Sequence, residues 1–330
     1  MKKFMNTVEG VLAESLKGFA SAHRDIVRLN AKPAVIFRAG GAVQGKVALV
    51  SGGGSGHEPL HAGFVGRGML DAACPGEVFT SPTPDQIVLA AEGAAGGAGV
   101  LFIVKNYSGD VMNFEMAAEL YAGEHKSVVI NDDVAVEDST YTTGRRGVAG
   151  TLIVEKIVGA AAEAGADLQA CAALAQKVNV RTGSMGVALT SCTVPAAGRP
   201  TFDLGADEME MGVGIHGEPG RRRVKLASAD AIANELVAAI CDSLKPKRGA
   251  KGLLLVNGLG ATPLLELTLV YAAAERALGD CGVDIARSLV GNYVTSLDMA
   301  GCSVTLTLLD DDMLRHWGAP VHTAALRWKR

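Results

Sequence analysis

The stretch that decides the fold is KVALVSGGGSGHEP, which covers residues 46–59. Its first five residues, 46–50, form a short apolar run with β-branched valines, a pattern typical of a buried strand. The glycines that follow let backbone N–H groups approach a polar ligand, because no Cβ obstructs them. The segment lacks the ending of a P-loop and the spacing of a dinucleotide-binding fingerprint. We therefore expect a strand that leads into a binding loop, with a purely structural tight turn as the alternative.

Two more apolar runs, at residues 99–105 and 127–130, repeat the order of a strand, a turn and a helical pattern. This order predicts β-α-β units. In open α/β sheets the ligand site lies at the carboxyl ends of the strands. The segments KNYSGD (105–110) and NDD (131–133) end these runs, so we expect them at that edge together with SGGGSGHE.

The second half of the chain has a separate pattern of elements. A helix is predicted over 147–164, and a strand-like stretch at 186–192 is followed by the breaker PAAGRP. The later predicted elements are helices at 228–244 and 263–278 and strands at 252–256 and 303–309. A chain of 330 residues also exceeds the usual size of one compact core. We predict two α/β domains, residues 1–182 and 183–330, each with a mixed or largely parallel sheet flanked by helices.

The composition argues against several classes of protein. The net charge of −4 and the pI near 6.0 provide no basic surface for nucleic acid. No apolar run reaches the ~20 residues that a membrane span needs, and the N-terminus has no signal-peptide pattern. The six cysteines lie far apart without a C-x-x-C pair, which indicates free thiols in a reducing compartment. We expect a cytoplasmic protein.

Residues 57–61 match H-E-x-x-H, a pattern in which two histidines on one helix bind zinc. Pro59 argues against this zinc hydrolase hypothesis, because proline is tolerated only in the first turn of a helix. We therefore expect His57 in or beside the glycine loop, and no metal on this chain. His61 is interpreted as a packed or surface histidine.

Lys105 and Asp110 begin and end the segment KNYSGD. At the carboxyl edge of a sheet, the carboxylate can accept a hydrogen bond from a hydroxyl group, or its proton. The alternative is a surface aspartate that caps a helix beginning at Val111, with Lys105 as a solvated strand end.

His216 lies between Gly214 and Gly217 in the segment EMEMGVGIHGEPG, residues 208–220. A neutral imidazole can act as a nucleophile, and the glycines leave little bulk beside the ring. A satisfied hydrogen-bonding role is the alternative for a lone histidine. The flanking glycines favour the nucleophile, because a packed histidine does not need them.

Ten segments, in order, resemble the ketose-binding subunit of dihydroxyacetone kinases. They are spread from residue 51 to residue 323, nearly the whole chain, and read SGGGSGHEP, ACPGEVFTSPTPDQI, KNYSGDVMNFE, NDDVAV, TGRRGVAGT, CTVPAAGRP, EMEMGVGIHGEPG, NGLGATPLLEL, TSLDMAG and WGAPVHT. The resemblance implies a homodimer of two-domain α/β chains. It also implies a ketose site in the first domain and a covalent histidine in the second.

The resemblance further implies a role for each site residue. By motif position, His216 forms a hemiaminal with the carbonyl of the ketose, and His57 is the catalytic base. Residues 54–56 (Gly54, Ser55 and Gly56) line the sugar, while Lys105 and Asp110 make the remaining polar contacts. Either His57 or Asp110 would accept the proton of the reacting hydroxyl group.

The sequence contains no nucleotide-binding loop, and Asp310-Asp311-Asp312 is simplest as a solvated turn before a helix. We therefore expect no cofactor on this chain. The resemblance implies a separate nucleotide-binding subunit that carries ATP, or ADP recharged through a phosphotransferase relay, with Mg²⁺.

Two alternatives stay open within the resemblance. Relatives that act on erythrulose share the same core motifs, so dihydroxyacetone is the leading rather than the only substrate. A ketose-sensing paralogue that acts on a transcription regulator could keep His216 and lose His57 or Asp110. Both of those residues are present, which favours the enzyme.

Overall fold

The structure is a computed structural model and describes residues 2–136, 142–218 and 220–328. The strands, β1 to β15 in chain order, are Val27–Ala31, Ala34–Arg38, Ala48–Ser55, Gly66–Arg67, Ala72–Val78, Val100–Lys105, His125–Ile130, Thr182–Ala188, Glu208–Met211, Arg222–Lys225, Ala250–Gly258, Val283–Gly291, Gly301–Leu309, Val321–Thr323 and Arg327–Trp328. The helices, α1 to α8, are Val11–Ala22, Pro84–Ala94, Ser108–Leu120, Gly150–Glu163, Leu168–Val180, Ala229–Leu244, Leu264–Asp280 and Asp311–Trp317. Within the described residues, every helix is too short or too polar to span a bilayer.

The contacts divide the chain into two compact units, each built from more than one stretch. Unit 1 consists of Met1–Ile130, Leu152–Lys177 and Arg315–Arg330, and unit 2 of Asn131–Thr151 and Val178–Leu314. The chain passes from unit 1 to unit 2 between residues 177 and 178, close to the boundary predicted at residue 182. The boundary at residue 182 stays a prediction. Of the residues in the two predicted domains, 1, 137–141, 219, 329 and 330 lie outside the described part of the chain.

Unit 1 contains a six-stranded mixed sheet with the strand order β1-β2-β5-β3-β6-β7. The strands β5, β3, β6 and β7 run parallel, whereas the β1–β2 hairpin pairs antiparallel with β5. All eight residues of β3 are buried, as expected for a parallel strand covered on both faces. One core cluster includes Val50, Phe102 and Phe114. The predicted α/β class is therefore confirmed for this unit.

The glycines of the SGGGSGHE segment lie inside β3 rather than in a loop after it. β3 continues to Ser55 and pairs with β5 along this stretch. A Cβ at Gly52 would lie 2.7 Å from the Cys74 carbonyl oxygen, and one at Gly54 would lie 2.7 Å from the Phe79 Cα. The expectation of a loop is wrong, because these glycines allow neighbouring backbone to pack against a continuing strand.

Helix α3 begins at Ser108, directly after β6 and a two-residue connection. Tyr107 is its N-cap residue, and Asp110 lies in the first turn. The alternative in which Asp110 caps a helix beginning at Val111 is therefore wrong. The position of this carboxylate is still favourable, because the N-terminus of a helix carries a partial positive charge.

Unit 2 contains a second six-stranded sheet with the order β10-β9-β8-β13-β11-β12. Among the strand pairs of this sheet in the described residues, only β11–β12 is parallel, so the sheet is mixed but mainly antiparallel. Its core cluster includes Val256, Val304 and Leu236, the last from α6. Ser228 caps α6 by accepting a hydrogen bond from the backbone N–H of Ala231. The sheet flanked by helices was predicted, but the extent of antiparallel pairing was not.

Candidate functional site

Lys105, the last residue of β6, is fully buried, so the alternative of a solvated strand end is wrong. Its Nζ donates hydrogen bonds to the Gly52 carbonyl oxygen at 3.3 Å and to Asp110 Oδ2 at 3.2 Å. The same Nζ lies 3.3 Å from His61 Nε2. A Cβ at Gly53 would collide with Nζ, so the absence of a side chain there makes room for the ammonium group.

His61 and Glu155 form a buried pair beside this ammonium group. His61 Nδ1 lies 2.6 Å from Glu155 Oε1, and both side chains are almost completely buried. Burial lowers the pKa of His61 well below its ordinary value, and the charge of Lys105 lowers it further. Burial also raises the pKa of Glu155 well above its ordinary value. Both shifts favour a neutral imidazole at His61.

His57 follows the glycine strand, and its ring is stacked on Phe79. The ring centroids are 4.9 Å apart with an interplanar angle of 17°, and only 1% of His57 is exposed. Gly56 turns the chain after β3 with a φ of +104°, a conformation that favours glycine. The Ser55 hydroxyl donates to the Gly76 carbonyl oxygen at 2.7 Å, which ties the end of β3 to β5. These contacts fix the backbone from which the His57 side chain extends.

The H-E-x-x-H match does not form the helix that a zinc site of this type needs. Residues 57–61 form turns that lead into a short 3-10 helix, Ala62–Phe64, and the peptide bond between Leu60 and His61 is cis. In the part of the chain that the structure describes, no cluster of three His, Cys, Asp or Glu side chains could hold a metal ion. His57 and His61 therefore occupy different settings, one stacked and one paired.

A cavity of about 410 Å³ lies in unit 1 beside the glycine strand. Its lining includes Leu16 and Phe19 from α1, Gly53 and Gly54 from β3, and His61. The volume falls within the range of small-molecule sites. Two of its lining residues, His61 and Gly53, are also neighbours of the buried Lys105 ammonium group.

In unit 2, His216 lies in a turn after β9 with 17% of its side chain exposed. Its Nδ1 is 3.2 Å from Glu218 Oε1, and its backbone N–H donates to Glu218 Oε2 at 3.0 Å. A carboxylate beside Nδ1 holds the ring hydrogen on that nitrogen, so a neutral ring has its lone pair on Nε2. Nε2 is the nucleophilic atom of such a ring.

Glu218 is buried and remains ionised because of its neighbours. Burial acts to raise its pKa, but the hydrogen bond from His216 and the charges of His216 and Arg146 lower that pKa to about 2. Arg146 is itself fully buried and donates from Nε to Asp133 Oδ2 at 2.7 Å and from Nη2 to the Gly212 carbonyl oxygen at 2.8 Å. The buried positive charge of Arg146 therefore lies close to two carboxyl groups, those of Asp133 and Glu218.

The glycines around His216 have a different physical reason from the one expected. A Cβ at Gly214 would meet the Glu218 carboxylate and lie 2.6 Å from Arg146 Nη1. Gly217 has a φ of +76°, and a Cβ there would lie 2.6 Å from Thr201 Oγ1. The glycines thus make room for the carboxylate beneath the ring and for the turn. Pro219 of this segment lies outside the described residues.

The NDD segment, expected at the ligand edge of the sheet, supports the structure of unit 2 instead. Asp132 accepts hydrogen bonds from the backbone N–H groups of Val148 and Gly150 at 2.8 and 2.7 Å, at the start of α4. Asp133 pairs with Arg146. Both carboxylates are therefore occupied by contacts within unit 2.

The sequence matches the Dak1 domain over residues 17–325. This chain belongs to the Dak1 domain family. The Dak1 chain is 50% identical over 355 residues to the Escherichia coli (strain K12) PEP-dependent dihydroxyacetone kinase, dihydroxyacetone-binding subunit DhaK, with 99% of each chain covered. The resemblance inferred from the sequence motifs is therefore confirmed.

Two further relatives extend this comparison. The Dak1 chain is 52% identical over 332 residues to the PTS-dependent dihydroxyacetone kinase 1, dihydroxyacetone-binding subunit DhaK of Listeria innocua serovar 6a, which covers 98% of this chain and 100% of the relative. The solved structure of the dihydroxyacetone kinase operon co-activator Dha-DhaQ is 34% identical. It has a TM-score of 0.88 and covers 95% of this chain and 97% of its own. The same fold thus occurs in proteins named as kinase subunits and as a co-activator.

Several residues of the Dak1 chain that contact the site side chains were not singled out from the sequence. They are Gly53, Arg146, Glu155 and Glu218. A signal was available for Glu155, because an acidic residue inside the apolar helical pattern TLIVEKIV is unusual. Glu218 lies two residues after His216, a spacing that lets the carboxylate reach both the backbone and the ring of that histidine.

Proposed function

We propose that this chain is the dihydroxyacetone-binding subunit of a PTS-dependent dihydroxyacetone kinase. Two relatives named as dihydroxyacetone-binding subunits, one PEP-dependent and 50% identical, the other PTS-dependent and 52% identical over almost the whole chain, support the proposal. The structural observation that carries it is the pairing of a partly exposed His216 with a buried, ionised Glu218. This pairing presents an imidazole lone pair on Nε2, as a covalent bond to a carbonyl carbon requires.

The proposed covalent step is the addition of His216 Nε2 to the carbonyl carbon of the ketose. The lone pair of Nε2 forms the new C–N bond, the C=O π electrons move to the oxygen, and that oxygen takes up a proton. No atom leaves, so the product is a hemiaminal. The Glu218 carboxylate, 3.2 Å from Nδ1, stabilises the positive charge that the ring gains in this step.

A covalent bond solves a specific binding problem for so small a substrate. Non-covalent affinity is limited to at most ~1.5 kcal/mol per heavy atom, and a short ketose has few atoms. Reaction at a carbonyl carbon also excludes glycerol, which has nearly the same size but no carbonyl group. The covalent bond therefore supplies both affinity and selectivity.

We assign the hydroxyl contacts to unit 1. The Lys105 ammonium and the Asp110 carboxylate form a buried ion pair with a separation of 3.2 Å, which suits the binding of polar hydroxyl groups. The backbone of Gly54, Ser55 and Gly56 lines the sugar in this proposal. His57 or Asp110 accepts the proton of the terminal hydroxyl group as it attacks the phosphoryl donor.

The phosphoryl donor belongs to partners in this proposal. A nucleotide-binding subunit holds ATP, or ADP recharged through a phosphotransferase relay, together with Mg²⁺. The word PTS-dependent in the name of the Listeria innocua relative supports the relay. We further propose a cytoplasmic homodimer, as the family resemblance implies.

Intact-protein mass spectrometry under native conditions tests the covalent step. Incubation with dihydroxyacetone should add the full mass of the ketose, because hemiaminal formation loses no water. His216→Ala should abolish the gain, whereas His125→Ala, on β7 of unit 1, should retain it. A parallel incubation with erythrulose tests the four-carbon alternative. A mass gain that persists in His216→Ala would contradict the proposal.

A ketose-sensing co-activator is the second candidate, favoured by the 34% identity to the structure of the co-activator Dha-DhaQ. Both functions begin with ketose binding, and they differ in whether the bound ketose is then phosphorylated. With a nucleotide-binding subunit from a relative, ATP or phosphoenolpyruvate with the PTS proteins, and Mg²⁺, the enzyme should form ketose phosphate. Tight ketose binding without any ketose phosphate, whichever donor is supplied, would favour the co-activator.

A further inference from the structure

The ammonium group of Lys105 has three hydrogens and three close neighbours that can accept them. These neighbours are the Gly52 carbonyl oxygen, His61 Nε2 and Asp110 Oδ2, at 3.2–3.3 Å from Nζ. An ammonium group has no lone pair, so Nε2 must accept. The hydrogen of a neutral His61 then lies on Nδ1 and is donated to Glu155 Oε1 at 2.6 Å. The contacts thus determine the tautomer of His61.

We infer that His61 and Glu155 are positioning residues that orient the Lys105 ammonium toward Asp110 in the ketose site. This inference rests on the proposed function, which places Lys105 and Asp110 in contact with the ketose, and it assigns His61 no such contact. His61 comes from the turn after β3 and Glu155 from α4, so the pair links two elements to the end of β6. Fixing a charged group before substrate arrives avoids an ordering cost during binding.

A purely structural role would look different, as a second buried network of unit 1 shows. Asp71 accepts from Lys46 Nζ at 2.6 Å and from Arg38 Nε at 2.9 Å, and Arg38 also pairs with Glu163 at 2.5 Å. That network joins opposite full charges and contains no histidine. His61 instead presents a neutral acceptor to Lys105, in the wall of the cavity beside Gly53.

Two substitutions of His61 separate the two hydrogen bonds of the ring. The side-chain oxygen of glutamine reaches the place of Nε2, whereas that of asparagine reaches only the place of Nδ1. His61→Gln therefore keeps an acceptor for Lys105, and His61→Asn keeps only a partner for Glu155. The measurement is the dihydroxyacetone concentration that gives half-maximal adduct on His216, read by native mass spectrometry, together with the melting temperature.

We expect His61→Asn to raise this concentration about 10- to 100-fold, the effect of losing a hydrogen bond to a charged group, and His61→Gln to change it by less than about threefold. The opposite order, or equal losses that follow the melting temperature, would overturn the inference. So would two variants that bind like the wild type.

A second pair of variants applies if neither His61 variant folds. Glu155 and Glu163 lie two turns apart on α4, and each carboxyl group contacts a side chain of unit 1, His61 for Glu155 and Arg38 for Glu163. Glu155→Leu should raise the half-maximal concentration about tenfold or more, whereas Glu163→Leu should leave it unchanged. Equal effects of the two leucine variants would sink the inference.

The outcomes also distinguish a failed inference from a failed function. If the wild type forms no adduct, the proposed function fails. The position of Lys105 is then read from the ¹³Cε and ¹⁵Nζ NMR shifts of labelled lysine, which His61→Asn should move and His61→Gln should not. If the wild type and Glu163→Leu form the adduct and the His61 variants do not differ, only the inference fails.

Discussion

Gly53 and Lys105 are packed so closely that a Cβ on residue 53 would occupy the place of Lys105 Nζ. The glycine strand β3 therefore makes room for a buried ammonium group on one face, while Gly52 and Gly54 allow close approach of backbone near Cys74 and Phe79. Three consecutive glycines are required because each one has a different neighbour. The buried position of the Lys105 ammonium group therefore depends on the absence of a side chain at residue 53.

Gly53→Ala should impair ketose binding more than it impairs folding. The added methyl group displaces the ammonium group of Lys105, and overpacking of this kind costs about 1–3 kcal/mol of stability. We expect loss of the ketose adduct at concentrations that saturate the wild type, measured by native mass spectrometry. Gly18→Ala on α1 is the control, because a Cβ there meets nothing within 4 Å. An adduct of normal affinity in Gly53→Ala would contradict the packing argument.

The sequence predicted the fold well where side chains alternate or repeat clearly. The helix predicted at 228–244 is observed at Ala229–Leu244, and the strand predicted at 252–256 extends over Ala250–Gly258. β12, Val283–Gly291, was missed because this edge strand is mostly half-exposed and has no continuous apolar run. The glycine part of β3 was missed because glycines carry no side-chain pattern, and pairing with β5 decides its conformation.

Candidate site residues could be named from the sequence where a local motif contains them, whereas contacts between distant residues could not. Lys105 and Asp110 share one motif at the end of a strand, and both are buried in contact with each other. His61 and Glu155 are 94 positions apart in the sequence. Long-range pairs of this kind arise only when the chain is folded, so neither periodicity nor spacing indicates them.

Glu218 should make the protein sensitive to acid. Its folded-state pKa of about 2 lies below the ordinary value for a glutamate, so its stabilising contribution is present above that ordinary value and is lost as the pH falls toward 2. The contribution is on the order of 3 kcal/mol. Urea unfolding at several pH values should show Glu218→Gln less stable than the wild type at pH 7, with the difference shrinking between about pH 5 and pH 2.

The control for this prediction is Glu235→Gln, which removes a carboxylate paired with Arg222 at 2.8 Å on a well-exposed part of unit 2. An exposed ion pair contributes about 0–1 kcal/mol, so this variant should track the wild type at every pH. A constant difference between Glu218→Gln and the wild type across the whole range would refute the linkage.

Arg146→Met should destabilise the protein strongly. Arg146 is fully buried and pairs with Asp133 at 2.6 Å, so its loss leaves a buried carboxyl group without its cation. Breaking a buried pair costs about 3–5 kcal/mol. Arg222→Met, at an exposed ion pair, should cost less than about 1 kcal/mol. Chemical denaturation of both variants at pH 7 measures their free energies of unfolding. Similar losses of stability would show that the buried pair of Arg146 stabilises the protein no more than the exposed pair of Arg222.

The Arg146→Met variant should also lose stability as the pH rises. Burial already raises the pKa of Asp133 to about 6 although Arg146 opposes the shift. Without the arginine this pKa rises further, and a group with a raised folded-state pKa is destabilising once the pH passes the unfolded value. The deficit relative to the wild type should therefore grow between about pH 5 and pH 8. A stability deficit that is constant between pH 5 and pH 8 would contradict the raised pKa of Asp133.

Asp110→Asn should separate ketose binding from phosphoryl transfer. In the wild type, Lys105 Nζ lies 3.2 Å from Asp110 Oδ2. Asparagine keeps an oxygen that can accept this hydrogen bond, but it cannot take up a proton. If Asp110 is the base, the His216 adduct should persist while the rate of transfer falls about 10²- to 10⁴-fold, the usual contribution of general base catalysis. His57→Asn gives the converse test, because only the true base should show this split.

Asp167→Asn, which alters an exposed carboxylate bonded to the backbone N–H of Ala170, should change neither quantity. If adduct formation and transfer decline by the same factor in Asp110→Asn, the carboxylate contributes only to binding, and proton removal belongs to His57.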